Sequence, residues 1–214
     1  MQGEDVLIIV MMLFSILFSM TLHEAMHAFT SHWLGDDTAY HMGRLTLNPL
    51  AHIDLFTTVL MPILLFLSGL PPIGAAKPVP FNPSRLRYDE FGAALVGVAG
   101  PLTNLGLAVF AGLWLRFVIG LGGSETIVAI FTMFIYVNLS FFVFNMIPYP
   151  PLDGSRVLYA FAPEPLQNFM RQIESFGIFG IIVFILVIFQ FVSPIMVQSI
   201  NYLFELIVGG SVSF

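Results

Sequence analysis

Residues 6–34 form a run apolar enough to enter a bilayer, yet in its midst stands the stretch LHEAMHAF, residues 22–29. Three more segments, 93–115 (extended past Arg116), 126–147 and 176–192, meet or approach the roughly 20 apolar residues that a helix needs to cross the hydrocarbon layer. Runs of this length select helices. Composition agrees: 57% of residues are hydrophobic and 9% charged, and the mean hydropathy is +0.92, more than the surface of a water-soluble domain could hide.

The expected fold is an all-α polytopic membrane protein with about four to six transmembrane helices and a short strand or re-entrant region after the first. One membrane domain accounts for the chain: first helix 6–34, re-entrant or strand region 35–91, second span 92–119, third span 125–147, fourth span 176–192, and a short fifth span or interfacial helix over 195–208. The start, MQGEDVLIIV, lacks a basic n-region, so the first helix is expected to be retained.

Segment 55–70 contains Pro62 and Gly69 and would reach only about 24 Å as a helix. If it dips in and returns, Arg44, Lys77, Arg85, Arg87, Arg156 and Arg171 all fall on one side, as cytoplasmic loops favour. Arg116, late in the second span, is expected to snorkel to the outer interface. Residues 44–47 alternate polar and apolar side chains, and AAKPVPFNP does so while its prolines forbid a helix, so short strands are expected here.

A net charge of −6, with no basic patch and no Gly-rich phosphate loop, argues against nucleic acid and nucleotide as partners. The chain has no cysteine, which excludes disulfides and thiolate metal sites. Any zinc must use nitrogen and oxygen. The sequence carries no signal of oligomeric state.

Ionisable groups inside a span are costly and default to a functional reading. His23 and His27 lie four residues apart, so on a helix both rings leave the same face and can share a metal, with Glu24 beside them to handle a water proton. This is HExxH, and a catalytic zinc site wants one more protein ligand. Candidates are Asp89, Glu90, Glu125 and Asp153. With 55–70 returning to its own side, the third span delivers Asp153, in NMIPYPPLDG, to the histidines' end, whereas Glu125 lies at the opposite one. Pro148, Pro150 and Pro151 break the helix there, and Gly154 allows a tight turn.

HEAMH, GPLTN at 100–104 and NMIPYPPLDG at 145–154 resemble, in that order, the motifs of the site-2 protease family of intramembrane zinc metalloproteases. Asn145, Pro148, Pro150, Leu152, Asp153 and Gly154 all fit the family's N-x-x-P-x-P-x-L-D-G. GRLTLNPLAHID also looks like the compact bacterial and archaeal branch. The resemblance implies an endopeptidase acting on transmembrane protein substrates in the lipid bilayer. It implies one zinc per chain on His23, His27 and Asp153, with Glu24 as general base and Asn145 helping to hold substrate or the developing oxyanion. It also implies a multi-pass protein of a prokaryotic cell membrane with its site toward the cytoplasm. Many relatives carry PDZ or CBS modules; this chain has neither.

The strand-like segments are expected to pair with a locally unwound substrate. His32, His41 and His52 read as interfacial polar residues or, less simply, as gating groups. Gly97 and Gly100, with Ala93 and Ala94, are expected to let the second helix approach the first, without a part in catalysis. A membrane metalloprotease class with a downstream Glu ligand fits less well, because no suitably placed E-x-x-x-D occurs. A zinc transporter needs polar groups out to the far face, and the outer halves of the spans show almost none. An inactive scaffold usually lacks the Glu or a ligand, and all four residues are present here.

Overall fold

The computed structural model describes residues 3–60, 64, 67 and 76–209. Helix α1 (Gly3–Trp33) is followed by the short α2 (Thr38–His41), single turns at Pro49–Ala51, Leu55–Leu60 and Pro83–Arg85, and the long α3 (Asp89–Gly120). Helix α4 (Glu125–Asn145) precedes the short α5 (Gly154–Phe161) and α6 (Glu164–Ser175). The last helical run comprises α7 (Ile178–Val183), a wide π turn (Phe184–Ile188) and α8 (Phe189–Val208). Among the described residues, four stretches are long and apolar enough to cross a membrane: Val10–Trp33, Asp89–Gly120, Glu125–Asn145 and Phe179–Val208. Their outward faces carry Phe14, Phe110, Phe179 and Phe191, all largely exposed. Apolar surface on this scale suits lipid and not water. The chain is an integral membrane protein.

Helix α3 is the centre of the bundle, packing on α1, α4, α5 and α8. Lipid tails are as apolar as leucine, so helices in a bilayer are held by close packing, which small residues permit. Ala108, Ala111 and Leu115 of α3 accordingly form one buried cluster with Ile135 and Leu139 of α4 and Ile200, Phe204 and Val208 of α8.

The expected break between 176–192 and 195–208 is absent, and the two form one continuous helical run. Pro194 lies inside α8. A proline removes one helical hydrogen bond, but membrane helices absorb the loss through local π adjustments and side-chain donors. Here the π turn precedes the proline, and Gln190 Nε2 donates to the Val187 carbonyl inside it.

The expected strands are also absent: among the described residues there is none. Residues 44–47 bend, with the Thr46 N–H on the Arg44 carbonyl at 2.9 Å, and 76–81 takes no regular structure; neither forms a ladder. Pro78 and Pro80 have no N–H to donate. The Lys77 N–H bonds the His52 carbonyl at 2.9 Å, and the Val79 N–H is taken by a side chain of α1. Side chains do the tying instead. The buried Arg44 guanidinium donates to the carbonyls of Ala51, Lys77 and Pro78. His52 is fully buried, not interfacial, and bonds the Thr46 carbonyl through Nε2. With its N–H groups missing or engaged, 77–80 offers no edge for a substrate strand. The re-entrant expectation for 55–70 falls half outside the described residues. The Arg87 N–H nonetheless bonds the Leu34 carbonyl at 2.8 Å, so the chain from 35 to 86 begins and ends at the same end of the bundle.

Asp36 is the second tie. It is fully buried and accepts from the backbone and hydroxyl of Thr38 and, at 2.6 Å, from the backbone N–H of Asn82. Burial works to raise its pKa, but these hydrogen bonds outweigh it and hold the carboxyl below its ordinary value. Asp36→Ala orphans two backbone donors and is expected to cost about 1–3 kcal/mol, read as a lower unfolding temperature in detergent. Because the pKa is depressed, wild type should hold this advantage above the unfolded value of about 3.9 and lose it on further acidification.

Candidate metal centre

The HEAMH stretch is helical throughout, and His23 and His27 project from one face of α1 with their rings 4.7 Å apart, edge to face. Both are buried. Asp153 comes to them from the loop after α4. That loop carries Pro148, Pro150 and Pro151, with a cis bond between the last two, and cannot continue the helix. Gly154 closes it: a Cβ there would lie 2.3 Å from the Met146 carbonyl, so only glycine lets the start of α5 fold against the end of α4. Asp153 stands at the N-cap of α5, but its carboxylate makes no capping bond. It faces α1 instead.

Asp153 Oδ2 lies 3.1 Å from His23 Nε2 and 3.4 Å from His27 Nε2. The three residues can offer one ligand atom each, all within 4.8 Å of one another. Tetrahedral ligands about 2.1 Å from a zinc ion lie about 3.4 Å apart, so the spacing suits that ion. The donor set suits it as well, with two imidazoles, one carboxylate and no thiolate. Burial opposes ionisation of Asp153, but the electrostatic influence of the two imidazoles beside it, His27 foremost, outweighs it. The carboxyl is held well below the usual carboxylate range, ionised as a metal ligand must be.

The ring of His27 is set from behind. Its Nδ1 lies 2.7 Å from the Val96 carbonyl of α3, an acceptor only, so Nδ1 carries a proton and Nε2 is the atom turned to the site. Gly100 of α3 faces the same atoms: a Cβ there would sit 2.5 Å from His27 Nε2 and 2.7 Å from His23 Nε2. Gly100 therefore does more than allow packing, because it keeps the ligand cradle open. Gly97 turns to Asp153 and Arg156, where a Cβ would lie 2.9 Å from the Asp153 carbonyl.

Glu24 is buried, and its Oε2 accepts from the Val79 N–H at 3.2 Å. The other oxygen has no hydrogen-bond partner among the described residues. Asn145, at the end of α4, donates through Nδ2 to the Phe141 carbonyl one turn back and, among the described residues, makes no hydrogen bond to the three ligand candidates. Among the other carboxylates weighed, Asp89 and Glu90 open α3 and Glu125 opens α4; none joins the cluster. His32 pairs with Asp37 at the surface. The sequence reading did not single out Asn104, whose Oδ1 lies 2.6 Å from His23 Nδ1. Its signal was a lone amide in an otherwise apolar span.

The model of peptidase family M50 matches residues 123–189. The "Putative zinc metalloprotease YwhC" of Bacillus subtilis is 37% identical over 188 residues, covering 85% of this chain and 80% of its own. The chain belongs to peptidase family M50. It is also 30% identical over 189 residues to the "Putative zinc metalloprotease Rip2" of Mycobacterium tuberculosis, covering 85% of this chain and 67% of that one. The Rip2 of Mycolicibacterium smegmatis is 28% identical over 177 residues, covering 79% and 64%. No solved structure matches the chain. This M50 member is a zinc metalloprotease built into membrane-spanning helices.

Gly100→Ala tests the cradle. The added methyl cannot fit beside both Nε2 atoms, so zinc affinity, measured by chelator competition, is expected to fall at least about tenfold while the helix itself is favoured by the change.

Proposed function

We propose that this protease hydrolyses peptide bonds in or next to transmembrane segments of other membrane proteins, with one zinc ion held by His23, His27 and Asp153. The convergence of His23 Nε2, His27 Nε2 and Asp153 Oδ2 at the end of the spans is the observation that carries this reading. Bound zinc supplies a Lewis acid that lowers the pKa of a water toward neutrality and polarises the scissile carbonyl.

The chain's own groups do the rest. Glu24 takes a proton from the attacking water as its oxygen bonds to the carbonyl carbon, and passes that proton to the amine as the C–N bond breaks. The Val79 N–H bond on Oε2 keeps the carboxylate turned in one direction and leaves Oε1 for the water. Asn145 has one amide hydrogen engaged by Phe141 and a second to offer to substrate or the developing oxyanion. It sits seven residues, two turns, beyond Asn138, whose side chain faces the α1–α3 contact, so the two share a face of α4.

A helical substrate hides its peptide bonds in hydrogen bonds, so it must unwind locally before cleavage. The proline-broken loop at 148–151 is where such backbone and water can meet, since irregular structure at this depth is tolerated only against protein or a wet cavity. The bias of Lys and Arg supports a cytoplasmic placement of this end in a prokaryotic cell membrane. Residues 1–214 are read as one membrane-embedded catalytic domain.

Zinc per chain by elemental analysis, together with cleavage of a transmembrane reporter in proteoliposomes, tests the proposal. Wild type is expected to hold one zinc and cleave. Glu24→Gln should keep the zinc and lose about 100-fold or more of the rate. Asp153→Ala should lose both. Tight zinc binding by folded Asp153→Ala would remove Asp153 from the ligand set, and cleavage only of water-soluble substrates would reject the intramembrane assignment.

A further inference from the structure

Two fully buried asparagines, Asn104 of α3 and Asn138 of α4, have no part in the reaction as described. Buried amides inside spans are costly unless every donor and acceptor is answered. Theirs are engaged in a chain of bonds that ends on a metal-ligand candidate. Asn138 Nδ2 donates to the Phe134 carbonyl at 2.9 Å. A carbonyl only accepts, so that atom is the amide nitrogen and Asn138 Oδ1 faces α3. Asn104 Nδ2 donates to that oxygen at 3.0 Å and to the Ser19 carbonyl at 3.3 Å. Asn104 Oδ1 is therefore fixed on the opposite side, 2.6 Å from His23 Nδ1. An oxygen acceptor there requires the proton on Nδ1. Each orientation follows from the one before, and the sequence starts at a backbone carbonyl that has no alternative.

We infer that Asn104, locked by Asn138, is a positioning residue that fixes the tautomer and ring angle of His23 so that Nε2 is presented as a ligand. This rests on the reading of His23 as a zinc ligand. His27 receives the same service from the Val96 carbonyl, so both ligand imidazoles are oriented by neutral oxygens of α3. The neutrality has a physical reason. Orienters of metal-bound histidines are often carboxylates, but Asp153 and Glu24 already balance the two charges of a zinc ion. A third buried carboxylate would leave an uncompensated charge within the bundle.

A purely structural role, as interhelical glue between α1, α3 and α4, is the competing account. The two differ in what they move: glue changes the stability of the apoprotein, whereas positioning changes metal affinity and ligand geometry.

The experiment uses the full chain in detergent. Zinc affinity is measured by chelator competition, cobalt is substituted to record its d–d absorption, and unfolding of the apoprotein is followed in parallel. Asn104→Leu keeps the size and removes the acceptor. It is expected to weaken zinc binding about 10- to 100-fold and to alter the cobalt spectrum. Asn138→Leu, which frees the Asn104 amide to rotate, should shift both readouts in the same direction by less.

Zinc affinity within about twofold of wild type in folded Asn104→Leu, with only the unfolding temperature lowered, would overturn the inference in favour of glue. Where Asn104→Leu does not fold, Asn138→Leu decides: zinc affinity and a cobalt spectrum both unchanged in that variant overturn the inference. Failure of wild type itself to bind zinc would instead overturn the ligand reading on which the inference rests.

Discussion

Everything in this bundle is arranged around the cost of keeping polar groups in an apolar interior. An unanswered buried donor or acceptor costs about 1–3 kcal/mol, and a charged one more. His23, His27, Glu24, Asn104 and Asn138 all lie deep in the protein, and each has a partner drawn from a different element. The partners dictate the architecture. Helix α3 must lie against α1 to supply Val96 and Asn104, and α4 must lie against α3 to supply Asn138. The chain after α4 must then turn back at once to bring Asp153 to the histidines.

The same economy explains the region between α1 and α3. It carries buried Arg44, His52 and Asp36, which in isolation would destabilise any packed segment. Their hydrogen bonds go to backbone carbonyls and amides of the loop, so side chains replace the ladder that a strand would have provided. Held in this way, 77–82 runs alongside α1 with the Val79 N–H on Glu24. Val79 itself packs against Ala28 of α1, and Leu45 lies against the same cluster.

Much of the site was legible because its determinants are local. His23 and His27 need only the helical period to share a face, and the prolines of NMIPYPPLDG force the break that frees Asp153. The choice of Asp153 as third ligand candidate followed from parity: the chain had to return to the end it left, and the Arg87 N–H lies on the Leu34 carbonyl. The reading went astray where tertiary bonds outweighed pattern. Alternation at 44–47 and 76–81 suggested strands, but prolines and the Arg44 clamp removed the ladder. Pro194 suggested a helix end, but a membrane span tolerates it. Asn104 and Asn138 were in plain view as lone amides in apolar runs. Their meaning was not, because it depends on which helices touch, and no local pattern states that.

The contact between α1 and α3 also shows why the site is formed by packing as well as by the ion. On α1, Ser19, His23 and His27 follow one another at intervals of four; on α3, Val96, Gly100 and Asn104 do the same. The two stripes run in opposite directions. Asn104 meets the Ser19 carbonyl and His23, Gly100 lies between the two imidazoles, and Val96 meets His27. A shift of one helix by a single residue would rotate its stripe by about 100° and break all of these contacts at once. Lipid-facing leucines and phenylalanines would barely resist such a shift, since one apolar surface serves as well as another in a bilayer. The polar stripe is therefore what fixes the register of the two helices. The groups that orient the ligands are the same groups that forbid the alternatives, so helix register and metal geometry are set by one set of bonds.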